Sequence, residues 1–224
     1  MLYLCTMLSL SEENHLKSIF HLSINSEDGV STNSIAKNLN TKASSVTEML
    51  KKLNEKLLIV YIKYHGAQLT ELGRKTALKI IRKHRLWEVF LVEKLDFKWD
   101  EVHEVAEQLE HIQSEKLTNE LDKFLNFPTH DPHGDPIPNP AGFIKIIPKL
   151  KLSDLGIGET GKFIGVKDSS SAFLKYLDKR KISLGCNIKV LHQEEFDQSL
   201  HIGLDETNLT ISIKSASNLY ITKI

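Results

Sequence analysis

Sulfur is scarce in this chain: 224 residues include two cysteines, Cys5 and Cys186, and three methionines. Two thiols so far apart make neither a disulfide framework nor a zinc ribbon, and they fit a reducing compartment. No run of about 18 apolar residues occurs, so no membrane-spanning helix is expected. The apolar start MLYLCTMLSL lacks a basic lead and runs into a helix start; it does not read as a signal peptide, and a cytoplasmic protein is expected. Glycine-rich phosphate loops are missing too, since GIGETG lacks the lysine spacing of a P-loop. Ser169–Ser171 have no local histidine, so no nucleophile–base pair marks an enzyme.

Net charge is also absent, with 29 cationic and 29 acidic side chains, but the balance is local. Residues 1–85 carry 13 Lys and Arg against 7 Asp and Glu, whereas residues 86–126 carry 4 against 11. A basic front beside an acidic, histidine-containing middle suits a polyanion for the first and a cation for the second. A composition of 41% hydrophobic and 26% charged residues is that of a folded protein, long enough for two domains or a little more.

The front reads as three helices and a hairpin. SEENHLKSIFHL begins at Ser11, a loose cap pattern with Asn14, and Glu12 and Glu13 favour a helix N-terminus after it. STNSIAKNLN is a short second helix, and Ala43–Glu55 a third with Val46, Met49, Leu50 and Leu53 inward. Short helix, short turn, helix is the helix-turn-helix pattern. Its outward residues are Lys42, Ser44, Ser45, Thr47, Glu48, Lys51 and Lys52, suited to phosphates and base edges. Leu57–Thr70 is β-branched and aromatic with His65-Gly66 where a hairpin turns. That makes a wing, with Lys63, Tyr64 and His65 at its tip.

Thr70 then caps a long helix, TELGRKTALKIIRKHRLWEVFLVEKL, apolar nearly all round past Arg85. His84 and Glu88 sit four residues apart on it. Val102–Ile112, VHEVAEQLEHI, carries His103, Glu107, Glu110 and His111. On one helix, offsets of 0, 4, 7 and 8 fall within an arc of about 100°. Two imidazoles and two carboxylates on a stripe are either a solvated face or a nitrogen-and-oxygen metal site for divalent Mn, Fe, Zn or Co. Ser114 caps a further helix to Phe124, and successive helices with surplus apolar residues suggest a dimerisation unit. Proline is rare, and five of the six crowd into FPTHDPHGDPIPNPAG, read as an interdomain linker. Its HDPH piece reads as a metal ligand pair or a stiff turn, the turn being favoured. The remainder gives short strands at 162–166, 188–191, 200–202, 209–213 and 219–222, with a helix at Ser171–Asp178, resembling a small β-barrel.

With these pieces in order, the chain resembles the diphtheria-toxin-repressor family of metal-dependent transcriptional regulators. The likeness rests on SSVTEMLKKL, RKHRLWE, VHEVAEQLEH and PHGDPIP. It implies a mainly α fold with β: a winged helix-turn-helix (1–73), a helical metal-binding and dimerisation domain (74–126), a Pro-rich linker (127–149) and an SH3-like, FeoA-like barrel (150–224). It implies an ancillary metal position of His84, Glu88 and His103, and a primary one of Glu107, Glu110 and His111, with Asn14 where the family places a first-helix ligand. The family's Glu and Gln from the barrel are missing, the stretch reading KDSSSAF. Glutamate at 107, where iron-responsive members carry cysteine, favours Mn(II); Fe(II) also fits, and Zn(II) or Co(II) is expected to substitute in vitro. The implied partners are a second copy of the chain and a palindromic operator. A metallohydrolase or metal-buffering protein using the same His/Glu cluster is the alternative.

Overall fold

A computed structural model describes residues 8–24, 29–62, 65–144, 149–204 and 207–224. The chain forms two compact units. The first comprises Met1–Trp87, Glu107–Leu121 and Ile137–Ile144; the second comprises Glu88–Ala106, Asp122–Pro136 and Lys145–Ile224.

In the first unit, helix α1 (Leu10–Ser23) starts two residues earlier than expected. Ser9, not Ser11, is its cap: the Glu12 amide donates to the Ser9 hydroxyl and the Glu12 carboxylate accepts from the Ser9 amide. This reciprocal box satisfies two donors that a helix start leaves open. Ser31 caps α2 (Thr32–Asn38). Helix α3 (Ala43–Glu55) has the expected bounds and buries Val46, Leu50 and Leu53 completely. These three pack with Leu16 and Ile19 of α1 and Ile35 of α2 in one core. Strands β1 (Ile59–Ile62) and β2 (Gly66–Leu69) pair antiparallel from Ile59↔Leu69 to Ile62↔Gly66, which is the expected wing. Lys63 and Tyr64 lie outside the described residues.

Helix α4 (Glu71–Leu95) starts at Thr70, whose hydroxyl accepts from the Gly73 amide at 3.0 Å. Glycine at 73 has a steric reason. A Cβ there would stand 1.8 Å from the Leu58 carbonyl oxygen, so the helix start lies directly against the chain leaving α3. Helix α5 spans Val102–Leu109, and α6, capped by Ser114, spans Glu115–Phe124.

The second unit is built on an antiparallel sheet of β3 (Leu150–Lys151), β4 (Thr160–Val166), β5 (Asn187–Gln193), β6 (Leu200–Leu204), β7 (Thr207–Ile211) and β8 (Leu219–Lys223). The strand order is β3-β8-β4-β5-β6-β7. Helices α7 (Ser171–Lys179) and α8 (Ile213–Ala216) complete it. The sheet is SH3-like but ends in two edges, β3 and β7, instead of closing into the expected barrel. Alternation along β4 and β6 sends Phe163, Ile202 and their neighbours inward against Leu174 and Leu177 of α7.

Candidate metal centre and nucleic-acid interface

The His/Glu stretch is not one helical stripe. Helix α5 stops at Leu109, and Glu110 and His111 lie in the turn that follows. Because the chain leaves the helix there, Glu110 points inward and is fully buried, while His103 is exposed. The 3.6-residue spacing runs on past the point where the backbone stops being helical, which is why the spacing alone extends the helix to Ile112.

In the first unit the polar residues of α1 meet this turn. Glu110 is bracketed by two donors: His84 Nδ1 at 2.5 Å and Lys17 Nζ at 2.6 Å. Lys17 also reaches Glu107 at 3.4 Å. His111 Nδ1 lies 2.5 Å from Glu13 Oε2, and Gln113 donates to the other Glu13 oxygen at 2.6 Å. Burial pushes the Glu110 carboxyl upward, but the His84 hydrogen bond and the Lys17 charge outweigh it and hold the group below the usual carboxylate range. Lys83 sits 3.9 Å from Glu13, and burial depresses its ammonium even against the pull of Glu13 and Glu110. The cluster therefore neutralises its carboxylates with its own ammonium groups.

The fit to a metal can be judged from one atom. Asn14 Oδ1 is buried with no hydrogen-bond donor, an arrangement that costs about 1–3 kcal/mol unless something else satisfies it. An amide oxygen without a donor, on the helix whose Glu13 and Lys17 reach the 107–111 segment, is a hard oxygen of the kind that suits a divalent cation. Asn14, Glu107, Glu110 and His111, expected together from the resemblance, all belong to the first unit. His84, grouped there with Glu88 and His103, makes its hydrogen bond to Glu110.

In the second unit, Glu88 is buried, and His103 Nδ1 lies 3.4 Å from its Oε1. His133 Nδ1 lies 3.7 Å from the same oxygen, and its Nε2 donates to the Trp99 carbonyl at 2.7 Å. Burial opposes charge on His133, but Glu88, Asp131 and the Trp99 carbonyl together raise its pKa to about 9. Sequence reasoning missed Glu13, Lys17 and Gln113. Glu13 and Lys17 share the Asn14 side of α1 by spacing, but nothing in the sequence ties that side to residues about 90 positions away.

The remaining expected contacts lie on α3. Lys42, Ser44, Ser45, Glu48, Lys51 and Lys52 are exposed and Thr47 is half-buried, its hydroxyl donating to the Ala43 carbonyl at 2.9 Å. Ser44 and Thr47, with Ser31 and Asn33 at the start of α2 and Tyr61 of the wing, line an open concavity. Its hydroxyls and amide, with the exposed lysines of the same helix and its cap, are chemically matched to phosphates and base edges. Lys63, expected at the wing tip, lies outside the described residues.

Comparison with known proteins adds the following. Residues 7–67 match the N-terminal DNA-binding domain of iron-dependent repressors, residues 70–139 their metal-binding and dimerisation domain, and residues 150–223 the FeoA domain. The iron-dependent repressor IdeR of Mycobacterium leprae is 31% identical over 181 residues, covering 80% of this chain and 69% of that one. IdeR of Mycobacterium tuberculosis (strain ATCC 25618 / H37Rv) is 36% identical over 148 residues, and the match covers 65% of this chain and 58% of the relative's length. Among solved structures, a manganese-dependent transcriptional repressor in complex with manganese superposes with a TM-score of 0.85 at 34% identity, covering 95% of this chain and all of that one.

Proposed function

The chain belongs to the iron-dependent, or diphtheria-toxin, repressor family, and from that premise we propose that it is a metal-dependent transcriptional repressor, acting as a homodimer on palindromic operator DNA to control metal-uptake genes. The observation that carries the reading is the double role of α1. One face of α1 packs Leu16 and Ile19 into the core that holds the recognition helix α3. Its polar side brings Glu13 and Lys17 to the 107–111 segment. Whatever fixes α1 against that segment also fixes α3.

Asn14, Glu107, Glu110 and His111 would hold the activating cation, and His84, Glu88 and His103 an ancillary one. A divalent ion in the first set supplies, as a point charge, the neutralisation that Lys17 and Lys83 otherwise provide. With an ion there, Lys17 would give up its place between Glu107 and Glu110, and the Asn14 amide would offer the ion the oxygen that has no donor. Two such heads in a dimer present their α3 helices to successive major grooves about 34 Å apart. Ser44, Ser45, Thr47 and Glu48 would face base edges, with Lys42, Lys51, Lys52 and Lys63 on phosphates. Exposed Leu95, Phe124 and Phe127 in the second unit supply apolar surface for the partner copy.

The thiol-free donor set favours Mn(II), with Fe(II) accommodated and Zn(II) or Co(II) able to substitute in vitro. As a regulator of genes the protein would act in the cytoplasm; no helix among the described residues is long and apolar enough to cross a membrane. The domain limits are taken as 73, 126 and 149. A hydrolase would have no use for a basic winged helix, so the regulator reading is preferred. The test is a gel shift on a palindromic site with Mn(II) and with chelator. Retardation is expected only with metal, and equal retardation in both would overturn the reading.

A further inference from the structure

The solvent face of the second unit's sheet carries two histidines and a carboxylate that the metal-regulator reading does not use. His192 of β5 and His201 of β6 stand directly opposite each other. Their pairing depends on a β-bulge: Val190 faces Ile202 and His192 faces His201, so Leu191 is an extra residue in the ladder. Ile188, Val190 and Ile202 are buried. Plain alternation from Ile188 and Val190 would send residue 192 inward as well. The bulge turns His192 outward instead, onto the face that His201 shares. Glu194 follows two residues on, and its amide still bonds across to the Ser199 carbonyl at 2.9 Å, so it keeps that face. Directly opposed residues of an antiparallel pair have Cβ atoms about 4.5–5.5 Å apart, which puts both imidazoles within reach of one ion.

One carboxylate oxygen meets both rings. Glu194 Oε1 lies 3.0 Å from His201 Nε2 and 3.8 Å from His192 Nε2. Ligand atoms about 2.0–2.2 Å from a tetrahedral ion stand about 3.3–3.6 Å apart, close to both separations. The ring centroids are 5.8 Å apart at 32°, so His192 has to turn a little further toward Glu194, and its 57%-exposed side chain has the room. His201 is held from behind: its Nδ1 lies 2.8 Å from the hydroxyl of Thr210, its partner on β7. Metal-binding histidines typically anchor their second nitrogen in this way. A hydroxyl both donates and accepts, so Thr210 supports the ring whichever nitrogen carries the proton.

We propose that His192, Glu194 and His201 form a surface site for a divalent cation of the Zn class, which staples β5 to β6 at the bulge. Two imidazoles and one carboxylate make a softer set than the Asn14, Glu107, Glu110 and His111 group, and they favour Zn(II) over Mn(II). The bound ion takes the place of the proton on His201 Nε2, Thr210 accepts from Nδ1, and solvent fills the fourth position. The site shares no residue with the regulator's metal centre and does not rest on that reading.

The test uses the full chain stripped of metal and titrated with Zn(II), read by equilibrium dialysis and by NMR of the histidine ring protons. The wild-type chain should bind one zinc ion more than a His192→Gln, His201→Gln double variant. In a Glu110→Gln, His111→Gln background that ion should remain, and the ring signals of His192 and His201, identified by their loss in the single variants, should move together as zinc is added. Adding Glu194→Gln should weaken this binding about tenfold or more, as loss of a single supporting group already does in metal sites. The three side chains are 41–57% exposed, so the replacements leave the core untouched, and thermal melts check this. Glu194→Gln keeps the length of the side chain and carries the test if a histidine variant does not fold. Equal zinc counts in the wild type and the double histidine variant overturn the proposal. So do His192 and His201 signals that stay in place at saturating zinc, or zinc binding unaffected by Glu194→Gln.

Discussion

Lys17→Met should tighten manganese binding and lower the stability of the metal-free chain. Lys17 Nζ stands 2.6 Å from an oxygen of Glu110, whose side chain is fully buried, and Lys17 itself is 14% exposed. A hydrogen bond to a charged group under such cover contributes about 1.5–3 kcal/mol net. The longer approach, 3.4 Å to the 43%-exposed Glu107, adds little because solvent screens it. A cation that takes this place must first displace the ammonium, so removing it should raise affinity about 10- to 100-fold, at about 1.4 kcal/mol per factor of ten. Methionine keeps the aliphatic length of the stem. The metal-free variant leaves Glu110 with His84 as its close hydrogen-bond partner, so its melting temperature should fall, and that of the manganese-loaded variant should fall less. Calorimetric titration with Mn(II), with melts in Mn(II) and in chelator, reads both quantities. Unchanged or weaker manganese binding, with the fold intact, would refute the idea that Lys17 holds the cation's place.

Three further outcomes follow from the same geometry. Glu110 has a carboxyl held below its ordinary range, so its contribution to stability is present above the unfolded value of about 4.3 and is lost as pH falls through the lower folded value; acid melts of the metal-free chain should show this loss, and Glu110→Gln should flatten it. Gly73→Ala should cost about 1–3 kcal/mol in urea unfolding, since its Cβ would stand 1.8 Å from the Leu58 carbonyl oxygen; a neutral result would mean that α4 is free to shift at its start. Lys51→Ala with Lys52→Ala should weaken operator binding across sequences and reduce the salt slope by about one for each phosphate that is no longer neutralised; an unchanged slope would remove both from the interface.

The winged helix was legible because its signals are local. Apolar positions at helical spacing gave α3 its observed bounds, and His65-Gly66 marked the hairpin. Boundaries were missed where one local signal outcompeted another or the backbone turned away from its spacing. Ser9 displaced Ser11 as the cap of α1 because Glu12 sits where it can return the bond. The 102–112 stretch keeps helical spacing in its letters while its backbone turns away at Glu110. Strand β3 is two residues long, below any periodic signal. Ligand-type residues could be picked out by chemistry, but not the groups that face them. Lys17 and Glu110, like Glu13 and His111, are brought together by packing alone. HDPH read as a stiff turn, and its Asp131 does fix one through the His133 and Asp135 amides; that the turn also aims His133 at Glu88 is a property of the fold.

The central claim is that a cation held by Asn14, Glu107, Glu110 and His111 controls how the recognition helices meet DNA. The most direct measurement is operator affinity by fluorescence anisotropy, with and without Mn(II), for the wild-type chain and Glu110→Gln. The account predicts that manganese tightens wild-type binding by at least about fivefold, the low end of allosteric coupling, and leaves Glu110→Gln near its metal-free affinity. A variant that responds to manganese as fully as the wild type would contradict it.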